Sequence, residues 1–384
     1  MESYAYLVSV AIIMLTTKVL GDLTKKVDMP QVVGALLAGV IIGPSCLGLI
    51  TETDFIANTA EIGVILLMFL AGLDTDIEEI KKNSVACMVI ASVGVIVPLL
   101  GGTACYYFFF EAGATDYIGI LKAVFVGVVL TATSVSITVE ALREMGKLEG
   151  KVGNAILGAA VIDDIIGIIV LTMVSSMKDT SISLSEVLIK ILLYMVFMGV
   201  LGFFLTRFKH LIDTNWKKQR ITTYTVVVCL LISFASEYFF GVADITGAYL
   251  LGLFLSKHVI KYEVARKVSV PSYLFFSPIF FASVGLKVEL DGLTKATIIF
   301  SLLLLAIAII TKIVGCGLGA RLCGFSKREA LQVGVGMVSR GEVALIVAQK
   351  GYAMGLLDAS LFPPIVLVVI ATTIITPIVL KKIM

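Results

Sequence analysis

Thirteen apolar segments follow one another with barely a loop between them, near 4–21, 30–50, 58–73, 84–110, 118–140, 151–175, 186–206, 222–240, 244–257, 271–286, 296–320, 327–350 and 360–381. A bilayer core about 30 Å thick takes roughly 20 apolar residues per crossing helix, and fewer where a segment is buried in protein. Lipid offers the backbone no hydrogen-bond partner, so each segment must satisfy itself as a helix. The expected fold is an all-α polytopic membrane protein of about 13 spans, with residues 1–384 as a single transmembrane domain and no soluble regulatory domain. Composition agrees: 59% of residues are hydrophobic and 15% charged, against roughly 45–50% and 25% in soluble domains. That excludes an ordinary soluble enzyme, a disordered chain and a nucleic-acid binder. The six cysteines lie in or beside apolar runs without CxxC spacing and read as small buried hydrophobes. No cofactor is expected. Met1-Glu2-Ser3 lacks a basic leader, so the first apolar run reads as a retained helix.

The loops alternate in charge. One set carries Lys25/Lys26, Lys81/Lys82, Arg143/Lys147/Lys151, Arg207 through Arg220, Lys257 through Lys267, Arg321/Lys327/Arg328 and Lys381/Lys382, which is 21 of the 30 basic residues. The opposite set holds Lys122, Lys178, Lys287, Lys295 and Lys350. Cytoplasmic loops collect Lys and Arg, so a multi-pass protein of the cytoplasmic membrane is expected, its N-terminus outside and its C-terminus inside. His210 and His258 fall in the basic loops and read as solvated. Asp244 and Glu237 lie near the outer edge of two spans, and Glu61 near the start of a third; all three read as interfacial charges.

The chain also resembles itself. Gly34-Ala35-x-Leu37-x-Gly39 matches Gly247-Ala248-x-Leu250-x-Gly252, and Gly72-Leu73-x-x-Asp76 matches Gly285-Leu286-x-x-Glu289, both at an offset of 213. Ala123-x-x-Val126-Gly127-Val128 matches Ala330-x-x-Val333-Gly334-Val335 at 207. The offset spans seven helices, an odd number, so the two copies enter the membrane from opposite sides. Two inverted-topology repeats of five helices follow, at 30–175 and 244–381 with connecting helices at 176–243. Secondary transporters are built this way, with a midplane site where two helices unwind. Aligned stretches in the fifth and twelfth spans are the expected breaks: Thr131-Ala132-Thr133-Ser134-Val135-Ser136 is rich in hydroxyls, and Gly334-x-Gly336-Met337-Val338-Ser339-Arg340-Gly341-Glu342 in glycine and charge. Thr131, Thr133 and Ser134 can offer oxygens to a cation there.

Five charges remain that topology does not explain: Asp163 and Asp164 in the sixth span, Lys312 in the eleventh, Arg340 and Glu342 in the twelfth. A charge at the helix centre costs about 2.5–3.5 kcal/mol on insertion scales, which marks it as a functional candidate. Neighbouring helical residues point about 100° apart, so one aspartate should face a cavity and the other a protein partner. Lys312 is the natural partner. Three carboxylates against two cations sum to minus one, the charge that one monovalent cation or one proton neutralises.

Together Pro30-x-x-x-Gly34…Gly39…Gly43-Pro44, Thr131-Ala132-Thr133-Ser134, Asp163-Asp164, Lys312 and Gly336-Met337-x-x-Arg340-Gly341-Glu342 make the chain resemble the cation/proton antiporter-2 family, with the sodium/proton exchanger fold of the NapA type. The resemblance implies a homodimer with a dimerisation domain and a mobile core domain moving as an elevator. It implies Asp164 as the carboxylate that binds Na⁺ or a proton, Asp163 as the partner of Lys312 in one state, and Thr131 and Thr133 beside the crossover. Potassium-efflux relatives usually carry Gln-Asp where this chain has Asp-Asp, and add a nucleotide-binding domain. The expected activity is exchange of Na⁺, with Li⁺, for protons, electrogenic if Lys312 also releases its proton. A K⁺/H⁺ antiporter of the same family, a cation channel and a sensor that has lost transport remain as alternatives. Membrane lipid, monovalent cations and protons are the expected partners.

Overall fold

A computed structural model describes residues 4–26, 29–75, 78, 83–110, 117–178, 184–207, 218–287 and 295–384. Within them the chain is helical throughout: α1 (Ala5–Lys26), α2 (Gln31–Ile42), α3 (Asp54–Asp74), α4 (Ser84–Phe110), α5 (Tyr117–Thr131), α6 (Val135–Glu144), α7 (Lys151–Lys178), α8 (Leu184–Arg207), α9 (Lys218–Phe240), α10 (Asp244–Leu255), α11 (Ile260–Pro271), α12 (Ser277–Leu286), α13 (Lys295–Leu322), α14 (Lys327–Gly336), α15 (Glu342–Ala353) and α16 (Phe362–Ile383). Ten spans among the described residues are long and apolar enough to cross a bilayer, and α2 and α10 are shorter apolar helices.

Two boundaries depart furthest from the sequence reading. The second span is helical only to Ile42, because Gly43-Pro44 ends it and the chain to Ile50 runs as turns and irregular backbone; a proline bars the residue before it from helical angles. The tenth span begins at Ile260 rather than near 271, continuing from α11 through a π-helical turn at Ser272–Phe276 into α12. Pro271 and Pro278 flank that turn and cannot donate backbone hydrogen bonds.

The helices pack in two groups. α4 to α7 and α13 to α16 form one, centred on the α4–α13 pair, while α1 to α3 and α9 to α12 form the other, with α8 running between. In the second group α3 packs on α10 and α2 on α12 with backbones almost touching. A Cβ on Gly72 would meet Tyr249 O, Leu253 N and Gly252 Cα; one on Gly285 would meet Leu36 O, Val40 N and Gly39 C. Subtracting 213 from 249, 252 and 253 gives 36, 39 and 40, so the two crossings use equivalent residues. Only glycine permits such approach. Between the groups, α6 touches α2 and α3, and α16 touches α2.

Candidate functional site

Both expected breaks are present. α5 stops at Thr131 and α6 starts at Val135; α14 stops at Gly336 and α15 starts at Glu342. Hydroxyl-rich and glycine-rich backbone at these points leaves helix-end groups without intrahelical partners, and each break supplies the other. Ser134 N donates to Ser339 O at 2.7 Å. Thr138 Oγ1 donates to Gly336 O at 2.7 Å, and Thr373 Oγ1 of α16 donates to Arg340 O at 2.5 Å.

Arg340 is wholly buried at this crossing. Its Nη1 donates to Val338 O at 2.8 Å, and its Nη2 to Leu130 O at 2.8 Å and Ala308 O at 3.2 Å. Leu130 lies in the last turn of α5, where the half-helix ends with a partial negative charge. The guanidinium therefore caps a helix terminus at membrane depth.

Asp163 and Asp164 lie midway along α7. Asp163 is 2% exposed and Lys312 is 0% exposed. The Lys312 ammonium donates to both Asp163 oxygens, at 3.1 and 3.4 Å. Thr133 and Arg340 flank the same carboxylate, although the Thr133 hydroxyl meets no hydrogen-bond geometry there. The other two hydroxyls singled out in the sequence are engaged locally: Thr131 Oγ1 donates to Val128 O at 2.7 Å, and Ser134 Oγ and Ser136 Oγ are hydrogen-bonded at 3.3 Å. Asp164 points elsewhere. It is half-buried, and Thr246 Oγ1 approaches its Oδ2 at 3.5 Å from the first turn of α10. Asp164 thus faces across the seam between the two helix groups. Glu342 opens α15, but its side chain falls outside the described residues.

Three features escaped the sequence. Thr246 carries no signal beyond being one hydroxyl among many. His258 is 2% exposed, not solvated, because the turn after Leu255 folds back with His258 N donating to Leu255 O at 2.9 Å; His210 lies outside the described residues. The third feature is a polar bridge at the end of the bundle rich in basic residues. There Arg143 of α6 pairs with Asp74 of α3 at 2.8 Å, donates to the Tyr273 hydroxyl and lies 3.8 Å from Glu140. Glu144 accepts the Gln31 and Val32 backbone N–H groups at 2.7 and 3.1 Å, at the N-terminus of α2. A cavity of about 410 Å³ lined by Thr17, Gln31, Glu140, Glu144 and Tyr273 opens into the same seam.

Comparison with known proteins agrees with this arrangement. The family model for "Sodium/hydrogen exchanger, transmembrane" matches residues 9–384. The Na⁺/H⁺-K⁺ antiporter GerN of Bacillus cereus is 39% identical over 382 residues, covering 98% of this chain and 96% of its own. A Na⁺/H⁺ antiporter of Enterococcus hirae is 36% identical over 375 residues, covering 96% of each. Among solved structures, the sodium proton antiporter MjNhaP1 of Methanocaldococcus jannaschii superposes with a TM-score of 0.69 at 16% identity, covering 100% of this chain and 97% of that one. That likeness is one of fold.

Proposed function

The chain belongs to the sodium/hydrogen exchanger family, and from that premise we propose that it exchanges Na⁺, and Li⁺ with it, for protons by alternating access. One observation carries the reading. A half-buried carboxylate, Asp164, faces the seam between two helix groups, next to a fully buried Asp163–Lys312 pair and two helix breaks hydrogen-bonded to each other. Oxygen donors and a negative carboxylate suit a hard monovalent cation. One site that accepts either a cation or a proton, never both, couples their movements. The loaded or protonated group α4–α7 with α13–α16 crosses the barrier, and the bare anionic site does not, because an uncompensated charge is costly in lipid.

The elevator motion is supported by the seam, which is bridged by a few polar contacts while each group is densely packed within itself. The inverted repeat is supported by the equivalent crossings at Gly72/Gly252 and Gly39/Gly285. In this reading α1 to α3 with α9 to α12 carry the dimer contact, and the basic end faces the cytoplasm with the N-terminus outside. If Lys312 gives up its proton when Asp163 is freed, two protons exchange per cation and transport is electrogenic; a fixed Lys312 gives exchange nearer one for one. No separate cofactor is needed, since the ions are the cargo.

Potassium exchange has one observation in its favour, the name of the 39% identical relative, which includes K⁺. Purified protein in liposomes with an internal pH dye separates the readings when Na⁺, Li⁺ and K⁺ are added outside in turn. The proposal expects internal alkalinisation with Na⁺ and Li⁺. A response to K⁺ alone assigns potassium exchange, and cation entry without proton counterflow assigns a channel.

A further inference from the structure

At the end of the bundle opposite the basic loops, three carboxylates from three helices converge on one point: Glu61 of α3, Glu237 of α9 and Asp244 at the start of α10. Each has an oxygen within 4.8 Å of the others. They are far apart in sequence, and the sequence read each as a separate interfacial charge. The three line one cavity of about 410 Å³, together with Asn58 and Ser233. Among the described residues no ion pair reaches Glu61 or Glu237, so these two like charges are held close with no described cation between them. A second observation comes from the cavity wall. Ser233 is 1% exposed, lies one helical turn before Glu237 on the same face of α9, and its Oγ has no hydrogen-bond partner. A buried hydroxyl left without a partner is itself unfavourable, and here it lines the space that the carboxylates enclose.

We propose that Glu61, Glu237, Asp244 and Ser233 form a binding site for a divalent, oxygen-seeking cation at the outer end of the helix group that does not carry Asp164. Calcium holds its oxygens at about 2.3–2.6 Å, so ligands of a single ion lie no more than about 5 Å apart. The carboxylate spacing meets that limit. The donors are three carboxylates, a hydroxyl and the Asn58 amide, all hard oxygen ligands. They come from three helices, α3, α9 and α10, and such a set suits calcium, whose coordination is flexible, better than magnesium, whose geometry is strict. The site has a structural consequence. Asp244 Oδ1 accepts the Ile245 N–H at 2.6 Å, and Thr246, two residues on, reaches Asp164. A cation that ties α10 to α3 and α9 therefore also fixes the helix start from which Thr246 meets the transport carboxylate.

The test is equilibrium dialysis of the purified full-length protein against radioactive Ca²⁺, after stripping with chelator. External calcium modules bind at roughly 10⁻⁴–10⁻³ M, so the titration runs through that range. The expected result is one Ca²⁺ per chain in the wild type and in Asp164→Asn, at least tenfold weaker binding in Glu61→Gln/Glu237→Gln, and several-fold weaker binding in Ser233→Ala. Mg²⁺ is expected to compete poorly. No binding by the wild type at millimolar Ca²⁺, undiminished binding by the double variant, or loss of binding in Asp164→Asn overturns the proposal. Thermal unfolding in chelator guards against a misfolded variant. Removing two like charges should leave the midpoint at or above that of the wild type, and a lower midpoint overturns the repulsion on which the site rests.

Discussion

Replacing Lys312 by methionine keeps most of the side-chain volume and removes only the ammonium. In the native chain that ammonium lies 3.1 Å from Asp163 Oδ1, and neither residue is more than 2% exposed. At that distance the attraction is about 5 kcal/mol for an effective dielectric near 20. Desolvation of both ions offsets much of it, but in the variant the carboxylate stays buried without its partner. Breaking such a pair from one side costs about 3–5 kcal/mol. Asp163→Asn alone should cost a similar amount, since it strands the ammonium. Removing both charges in Lys312→Met/Asp163→Asn should recover most of the loss, because a neutral pair of similar volume replaces the ion pair. Denaturant titration of the purified variants in mixed micelles measures all three. A coupling energy well above 1 kcal/mol is expected from the cycle. If the double variant is as unstable as the two single variants added together, the pair does not interact and the reasoning fails.

Three further outcomes follow from the same geometry. Arg340→Lys should be as damaging as Arg340→Ala, since a single ammonium cannot span the Val338, Leu130 and Ala308 carbonyls that the guanidinium joins; recovery of folding or transport by lysine would contradict this. Gly72→Ala and Gly285→Ala should destabilise by similar amounts, about 1–3 kcal/mol each, because each new Cβ meets the equivalent backbone oxygen, Tyr249 O or Leu36 O; a large inequality in thermal midpoint would argue against equivalent crossings. Na⁺ uptake should weaken as pH falls. If proton and cation compete for Asp164, as proposed, then in the range where the site is protonated the apparent affinity drops about tenfold per pH unit for one competing proton; a pH-independent affinity in radioactive sodium uptake would contradict competition.

Much of this molecule is legible in its sequence because lipid imposes simple rules. Helix lengths follow from bilayer thickness, and the breaks at 132–134 and 337–341 fall inside the two stretches that composition marks. The Asp163–Lys312 pair follows from the cost of burying either charge alone. What stays hidden depends on helices meeting in three dimensions. Thr246 reaches Asp164 across 82 residues of sequence. Arg143 bridges to Asp74 and Tyr273, which lie on other elements. Arg340 stands out as a buried charge, but its partners are backbone carbonyls, which have no sequence signature. The helical stretch from Ile260 is likewise concealed, because Lys261, Glu263, Arg266 and Lys267 make it read as a polar loop.

The central claim is that Asp164 alternately carries the cation and the proton. Its most direct test is internal pH in liposomes holding wild-type protein or Asp164→Asn, recorded as Na⁺ is added outside. Wild-type vesicles should turn alkaline inside, and the Asp164→Asn vesicles should show no change although the protein folds and inserts. Sodium-driven proton movement that persists in Asp164→Asn would contradict the account.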